Sequence, residues 1–570
     1  MRRVLPRLCV PLGLLGALVW GVVPCWAGGP LHEQIDRAVE SKLDGQVAAP
    51  ATDAEFLRRV SLDLTGMIPT AVEARAFLDD PSPYKRERLI DRLLASPEYA
   101  RRMATVFDVM LMERRDDAHV PAPQWREFLR KAFAENRPYN RLAAEILSAD
   151  GIDPALRPAA KFYLDRQAEP NLLTRDVGRL FLGVDLQCAQ CHDHPLIDDY
   201  KQAHYYGLFA FFNRATLFGA DKNAAVLAEK ADGDVSFTSV FTKKVTHQAG
   251  PRVIDGPPVE EPKFAKGEEY LVPPAKDNSV RPVPRFSRLA QLAPRMTAAT
   301  TPAFSRNIVN RLWALMMGRG LVHPLDLHHT ENPPSHPELL DLLAREFAAS
   351  QFDVKAFLRE LALSRTYQRS SEPPPGMSEE KSDPSRFAVA ALKPLSPEQL
   401  AWSVMQGLGL VAMYRSNAEH RVDNVDTKLR DILGTDAKRR DLRTTMLEET
   451  VFDQLGGSVA PFVGQFAPTG GQPQDVAEPT VHQALFIANG QPIQSWLAPA
   501  GTNLAGRLSA LTDPSALAEE LYLSLNSRRP TRDERDEVAR HLERRGKERA
   551  AALQELVWAV LASTEFRFNH

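Results

Sequence analysis

Apolar residues recur every three or four positions along most of the chain, the period of helices buried on one face. Residues 31–43 read as a helix with Ile35 and Val39 on one side, and 84–95 carry Leu89, Leu93 and Leu94 at the same spacing. Ser96-Pro97 opens a helix through Phe107, Met110 and Leu111, and 122–135 and 139–148 follow as two more. Asn171 to Gln187 places Leu173, Val177, Leu180, Phe181 and Val184 on one face, which predicts a helix that delivers Cys188 at its end. Residues 303–317, with Phe304, Ile308, Leu312 and Leu315, precede helices over 338–350 and 354–365. Thr52 with Glu55, Thr70 with Glu73, and Ser335 with Glu338 each fit a capping box, in which a hydroxyl and a carboxylate close free backbone amides.

The period breaks in three places. Val235 to Thr242 alternates loosely, as a strand or hairpin does, and 250–285 is rich in Pro, Glu and Lys. Residues 371–386 are polar and proline-rich, which predicts a linker before Ser396-Pro-Glu-Gln399 opens a mostly helical C-terminal region. Gly456 to Pro479 reads as one long Gly/Pro/Gln loop, either functional or mobile. The predicted fold is mainly α, a multi-helical two-part protein with a small β-containing insert around residues 214–285. Its expected division is a signal peptide at 1–27, a helical domain at 28–213, and the insert and Pro-rich loop at 214–285. The second domain then takes a central region at 286–371, a linker at 372–393 and a C-terminal region at 394–570. Leu94-Ala-Ser-Pro-Glu-Tyr99 is echoed at Leu361 to Tyr367 and at Leu561 to Phe566. The copies keep no fixed period, which favours a reused helical hairpin over a solenoid.

With 570 residues the chain can bury large cores, and a net charge of −3 makes no electrostatic case for nucleic acid or an anionic membrane. Arg2, Arg3 and Arg7, then an apolar run from Leu8 to Val23 and a small residue at Ala27, fit an export signal. No later stretch is long and apolar enough to span a bilayer. Removing that signal takes Cys9 and Cys25 and leaves Cys188 and Cys191 as the remaining two of four cysteines. The expected location is therefore exported, periplasmic or at the cell surface.

Both remaining thiols fall in Cys188-Ala-Gln-Cys191-His192, the short pattern of covalent haem c attachment. Two thiols one turn apart can each form a thioether to a haem vinyl group, and the adjacent imidazole can ligate iron. Two rival readings use the same atoms. Zinc takes two sulfurs and two imidazoles, which Cys188, Cys191, His192 and His194 offer, although ligands so close in sequence strain a tetrahedron. A disulfide between Cys188 and Cys191 has the spacing of thiol oxidoreductases, without their strand-helix setting. Beyond the motif, Tyr205, Leu208, Phe209 and Phe212 fall on one helical face, either a haem wall or ordinary core.

These motifs together resemble the large exported proteins of planctomycetes built from two paired domains of unknown function, DUF1549 and DUF1553, the planctomycete cytochrome-c-associated domains. The first is carried by Arg58 to Thr70, Leu93 to Tyr99, Cys188 to Pro195 and Tyr205 to Phe212. The second is carried by Asn307 to Ala314, Gly318 to Val322, Asn332 to Leu340, Ser364 to Tyr367 and the closing Ser563 to His570. The resemblance implies a mostly helical fold and a haem c. It implies no reaction, because the family is itself uncharacterised.

A sixth iron ligand could come from His204, His247, His328, His329, His336 or a methionine. His336 stands at a helix start, where capping or packing is expected, and His328-His329 reads as a surface pair. Asn307, Asn310 and Arg311 form either a buried polar network or a binding site. No Walker loop, Gly-x-Ser-x-Gly elbow or His-Glu-x-x-His is present. The leading expectation is an exported haem-c redox protein with an unidentified redox partner. The other is a non-catalytic cell-surface scaffold in which the motif holds zinc or a disulfide. Polysaccharide association is compatible with an exported protein, and no residue pattern points to it.

Overall fold

The computed structural model describes residues 29–219, 224–241, 245–429, 436–474 and 480–570; the stretch read as an export signal lies outside them. Helices dominate, and the strands described form four separate antiparallel pairs. The helices expected from periodicity form at Leu31–Glu40, Lys85–Leu94, Pro97–Met112, Ala122–Ala134, Tyr139–Ser148, Pro302–Met317, Pro337–Ala349 and Val354–Leu363. Three of the insert's strand pairs join Ala215–Phe218 to Val226–Glu229, Val235–Phe237 to His247–Ala249, and Tyr270–Val272 to Val283–Pro284.

The caps follow the sequence unevenly. Thr70 with Glu73 and Ser396 with Gln399 close reciprocal boxes. Thr52 accepts the Glu55 N–H at 3.2 Å, but the Glu55 carboxylate turns instead to Arg59 and to the Ser371 N–H, both at 2.7 Å. Helix Pro337–Ala349 starts at His336 with no side-chain cap, so the box expected from Ser335 and Glu338 is not formed. The long loop expected from Gly456 to Pro479 contains the helix Ala460–Phe466, because Phe462 is buried and packs 5.0 Å from Phe486. The three echoed segments share one device: Ser96, Ser364 and Ser563 each accept the N–H of the aromatic three residues on, at 3.1 to 3.3 Å. Those aromatics, Tyr99, Tyr367 and Phe566, are all buried.

Two apolar cores result. One gathers residues from Leu31 to Phe387 together with Leu523, so the region before the insert and the helices after it share a single interior. The other runs from Leu395 to Phe566 and takes in Leu62, Met67 and Ile68. Helix Asp53–Thr65 serves both: Phe56, Val60 and Leu64 enter the first core and Leu62 the second. Everything from Glu55 to Thr65 is buried, including four charged side chains.

Buried charges must be paired, and the partners come from far along the chain. Arg58 donates to the carbonyls of Leu525 at 3.0 Å and Phe566 at 2.7 Å. Arg59 donates to the carbonyls of Tyr367 at 2.6 Å and Arg369 at 2.7 Å. Asp63 accepts from the Tyr367 hydroxyl at 2.8 Å, Asn569 Nδ2 at 2.8 Å and Lys393 Nζ at 2.6 Å. Replacing Asp63 by Ala strands the Lys393 ammonium in the interior and is expected to cost about 3–5 kcal/mol. Denaturant unfolding measures this; a loss below about 1 kcal/mol, the scale of an exposed pair, would refute the assignment.

Candidate functional site

Helix Pro170–Val177 carries the chain toward the cysteine motif, capped by the Glu169 carboxylate, which accepts the N–H groups of Asn171 at 3.0 Å and Leu172 at 2.6 Å. It loosens into a π turn at Gly178–Leu182 and stops at Gly183, whose φ is +73°. The helix expected to reach Gln187 therefore ends earlier and does not deliver Cys188. The stop is a left-handed glycine cap, with the Gly183 and Val184 N–H groups on the Arg179 and Gly178 carbonyls, and the fold admits no side chain there: a Cβ at Gly183 would lie 2.8 Å from His328 Cδ2 and 3.0 Å from Asn307 Oδ1. Val184 then bridges Leu327, and Cys188–Gln190 form one 3-10 turn.

The π turn is held by side chains from helix Pro302–Met317. Asn307 Nδ2 donates to the Leu180 carbonyl at 2.7 Å, and Arg311 donates to the Arg179 carbonyl at 3.0 Å. Asn310 donates to and accepts from the backbone of Val322. Of the two readings of Asn307, Asn310 and Arg311, the structure shows the buried polar network. It continues into ion pairs: Arg179 with Glu113 at 2.6 Å and Asp326 at 3.0 Å, Arg311 with Asp326, and Arg166 with Asp176 at 2.6 Å. The arginines around Asp176 hold its carboxyl below the usual range against the opposing effect of burial.

Beyond this support the motif lies at the surface. Cys188 and Cys191 are exposed free thiols, with the Cys191 N–H donating to the Cys188 carbonyl at 3.3 Å. His192 Nδ1 lies 2.7 Å from the Asp193 carbonyl and must donate to it, which leaves the lone pair on Nε2. The insert reaches over from one side. The Val240 N–H donates to the Cys191 carbonyl at 3.1 Å, and the Phe241 ring, 74 % exposed, sits 4.7 Å from the His192 ring. Leu196 and Val240 are further exposed apolar side chains of these segments. Tyr206 braces the turn by donating to the Gln190 carbonyl at 2.9 Å, and it stacks on Phe237 at 4.8 Å. Leu208 and Phe212 of the aromatic stripe go to the first core instead.

His194 turns away from the thiols. Its Nδ1 accepts the N–H groups of Leu196 at 3.2 Å and Ile197 at 3.0 Å, which places its proton on Nε2. Its ring meets Tyr200 edge-on at 6.1 Å, and Tyr200 meets His329 edge-on at 5.3 Å. Tyr200 thus stands between the motif and a cleft of about 640 Å³ that His204, His328, His329 and Arg306 line. Among the described residues no group of three or more His, Cys, Asp or Glu side chains is placed to hold a metal ion.

The other candidate histidines separate. His204 Nδ1 donates to the Asp199 carbonyl at 2.8 Å. His247 stacks on Phe237 at 5.2 Å. His336 is buried and packs 5.6 Å from Phe387, which is the packing role without the capping one. His328 and His329 are not a surface pair. Both are half-buried, with His328 Nε2 3.4 Å from Asn310 Nδ2 and its backbone N–H on the Gly183 carbonyl at 3.0 Å. Sequence reasoning missed Tyr200, the cleft and the insert's place over His192, because each depends on contacts between distant segments.

The family model PSCyt2, described as a protein of unknown function (DUF1549), matches residues 34–216. The model PSD1, described as a protein of unknown function (DUF1553), matches residues 288–542. The chain belongs to the paired DUF1549/DUF1553 proteins. No curated protein and no solved structure matches it. The cysteine motif lies in the DUF1549 match, and Asn307, Arg311 and His328, which support it, lie in the DUF1553 match. Val240 and Phe241 belong to neither.

Burial, reinforced by Arg311, pushes His328 down to about 4 from the ordinary 6.5. The folded protein therefore keeps His328 neutral where the unfolded chain protonates it. The stability this gives is complete above pH 6.5 and is lost as pH falls toward 4. His328→Gln is expected to flatten the fall in melting temperature between pH 7 and 4.5; an unchanged slope would contradict the burial of a neutral imidazole.

Proposed function

We propose that the protein is an exported haem-c redox protein, with haem joined to Cys188 and Cys191 and its iron ligated by His192. The observation that carries this reading is the state of His192. Metal-binding imidazoles commonly donate one ring N–H to a carbonyl or carboxylate so that the other nitrogen presents its lone pair, and His192 is oriented in this way by Asp193. Two free exposed thiols precede it, Cys191 directly and Cys188 one turn earlier. The exposed Phe241 and Leu196 supply the apolar surface that a haem edge requires.

The residues have separate tasks. Cys188 and Cys191 would fix the group, and His192 would ligate its iron. The hydrogen bonds of Tyr206 and Val240 hold the turn still, which keeps the thiols and the imidazole in register. Bound there, the group supplies one-electron chemistry at iron. The role is electron transfer or haem-assisted oxidation with a separate redox partner.

Export together with cytochrome c maturation machinery is expected to yield a coloured protein that keeps its haem in a denaturing gel and gives a c-type pyridine haemochrome spectrum. The Cys188→Ser, Cys191→Ser double variant is expected to be colourless while keeping the melting temperature of the haem-free wild type to within a few degrees, since both thiols are exposed. A colourless wild-type protein with two titratable thiols, or one carrying zinc, would overturn the reading in favour of a scaffold.

A further inference from the structure

A second cleft, of about 650 Å³, shares no lining residue with the first. Its walls come from helix Pro97–Met112, the start of helix Pro397–Gly407, the chain after helix Ala460–Phe466 and the C-terminal strand Phe568–Asn569. Four basic side chains line it, Arg102, Arg114, Lys393 and Arg567, against two carboxylates, Asp63 and Glu398.

The carboxylates are already taken. Asp63 holds Lys393, Asn569 and the Tyr367 hydroxyl. Glu398 receives Arg114 through both of its oxygens. Lys393 is completed by the carbonyls of Leu315 at 3.1 Å and Met316 at 2.9 Å. Arg102 differs from all of these. It is 9 % exposed, its Nε is buried without a partner, and among the described residues its guanidinium makes no hydrogen bond and no ion pair. The half-buried Arg567 also has an orphaned Nε and no ion pair there, and Asn569 Oδ1 beside it lacks a donor.

Asp63 and Glu398 are near enough to attract the Arg102 guanidinium, but an interior guanidinium whose donors lack acceptors is still unfavourable for folding. Local violations of that kind mark functional sites, where stability is given up for binding. We propose that this cleft is an oxyanion-binding site, in which Arg102 and Arg567 hold a carboxylate, sulfate or phosphate group of a small organic ligand. Guanidinium forks match the planar or tetrahedral oxygens of such groups. The volume exceeds what a bare ion needs, so the site takes a larger molecule by its anionic end. Leu392, Phe466 and Pro468 offer apolar wall to the remainder. The site is independent of the cysteine motif and stands whether or not haem is attached.

The test is thermal unfolding of the full chain in sulfate, phosphate or acetate against chloride at equal ionic strength. At least one anion is expected to raise the melting temperature saturably. Sulfate and phosphate also stabilise proteins by exclusion from their surfaces, but that effect does not saturate. Arg567→Gln and Arg102→Met are each expected to weaken the saturable response about tenfold or more, the scale of one charge-assisted contact. Arg102→Met is also expected to raise the anion-free melting temperature, because it removes an interior guanidinium whose donors lack acceptors. No saturable response to any of the three anions, or a response that Arg567→Gln and Arg102→Met leave intact, would overturn the proposal.

Discussion

The burial of a charged helix organises this protein. Helix Asp53–Thr65 is enclosed from Glu55 onward, and it carries Arg58, Arg59 and Asp63 into the interior. None of these charges could stay there unpaired. Their partners are the carbonyls of Tyr367, Arg369, Leu525 and Phe566 and the side chains of Tyr367, Lys393 and Asn569. One helix therefore draws the middle and the end of the chain back to its beginning. The two apolar cores meet along it, and a hydrophobic residue at Asp63 would fill the space without specifying which distant segments belong there.

The same logic acts at the cysteine motif. The π turn at Gly178–Leu182 is tied down from outside: Asn307 donates to the Leu180 carbonyl, and Arg311 shares the Arg179 carbonyl with the Gly183 N–H. The Arg179, Asp326 and Arg311 ion pairs fix that support, so a surface turn of three residues rests on rigid buried polar structure. The DUF1549 match contributes the thiols and imidazole, and the DUF1553 match contributes the brace. A site assembled this way gives a physical reason for the two domains to occur together.

Local features were legible in the sequence where the physics is local. The capping box read at Thr70 involves neighbours three residues apart and forms, whereas at Thr52 the Glu55 carboxylate is drawn off to Arg59 and the Ser371 N–H. Features decided by distant contacts were not legible. The helix through Gln187 stops at Gly183, a glycine cap that is itself a stop signal within 171–187, whereas the approach of His328 and Asn307 that forbids a side chain there is not announced locally. His328 reads as a polar surface residue until Asn310 and Gly183 enclose it. Arg102 lies among ordinary helix residues, and its lack of hydrogen-bond partners shows only when the nearby Asp63 and Glu398 prove to be bonded to others. Cys188, Cys191 and His192 lie together in the sequence itself, but the insert that brings Phe241 against His192 was not legible.

The central claim is that this braced surface turn carries haem. Metal analysis of the full-length protein, purified after export in a host that matures c-type cytochromes, tests it most directly. The account predicts one iron per chain, still protein-bound after denaturation; one zinc per chain, or no metal, would contradict it.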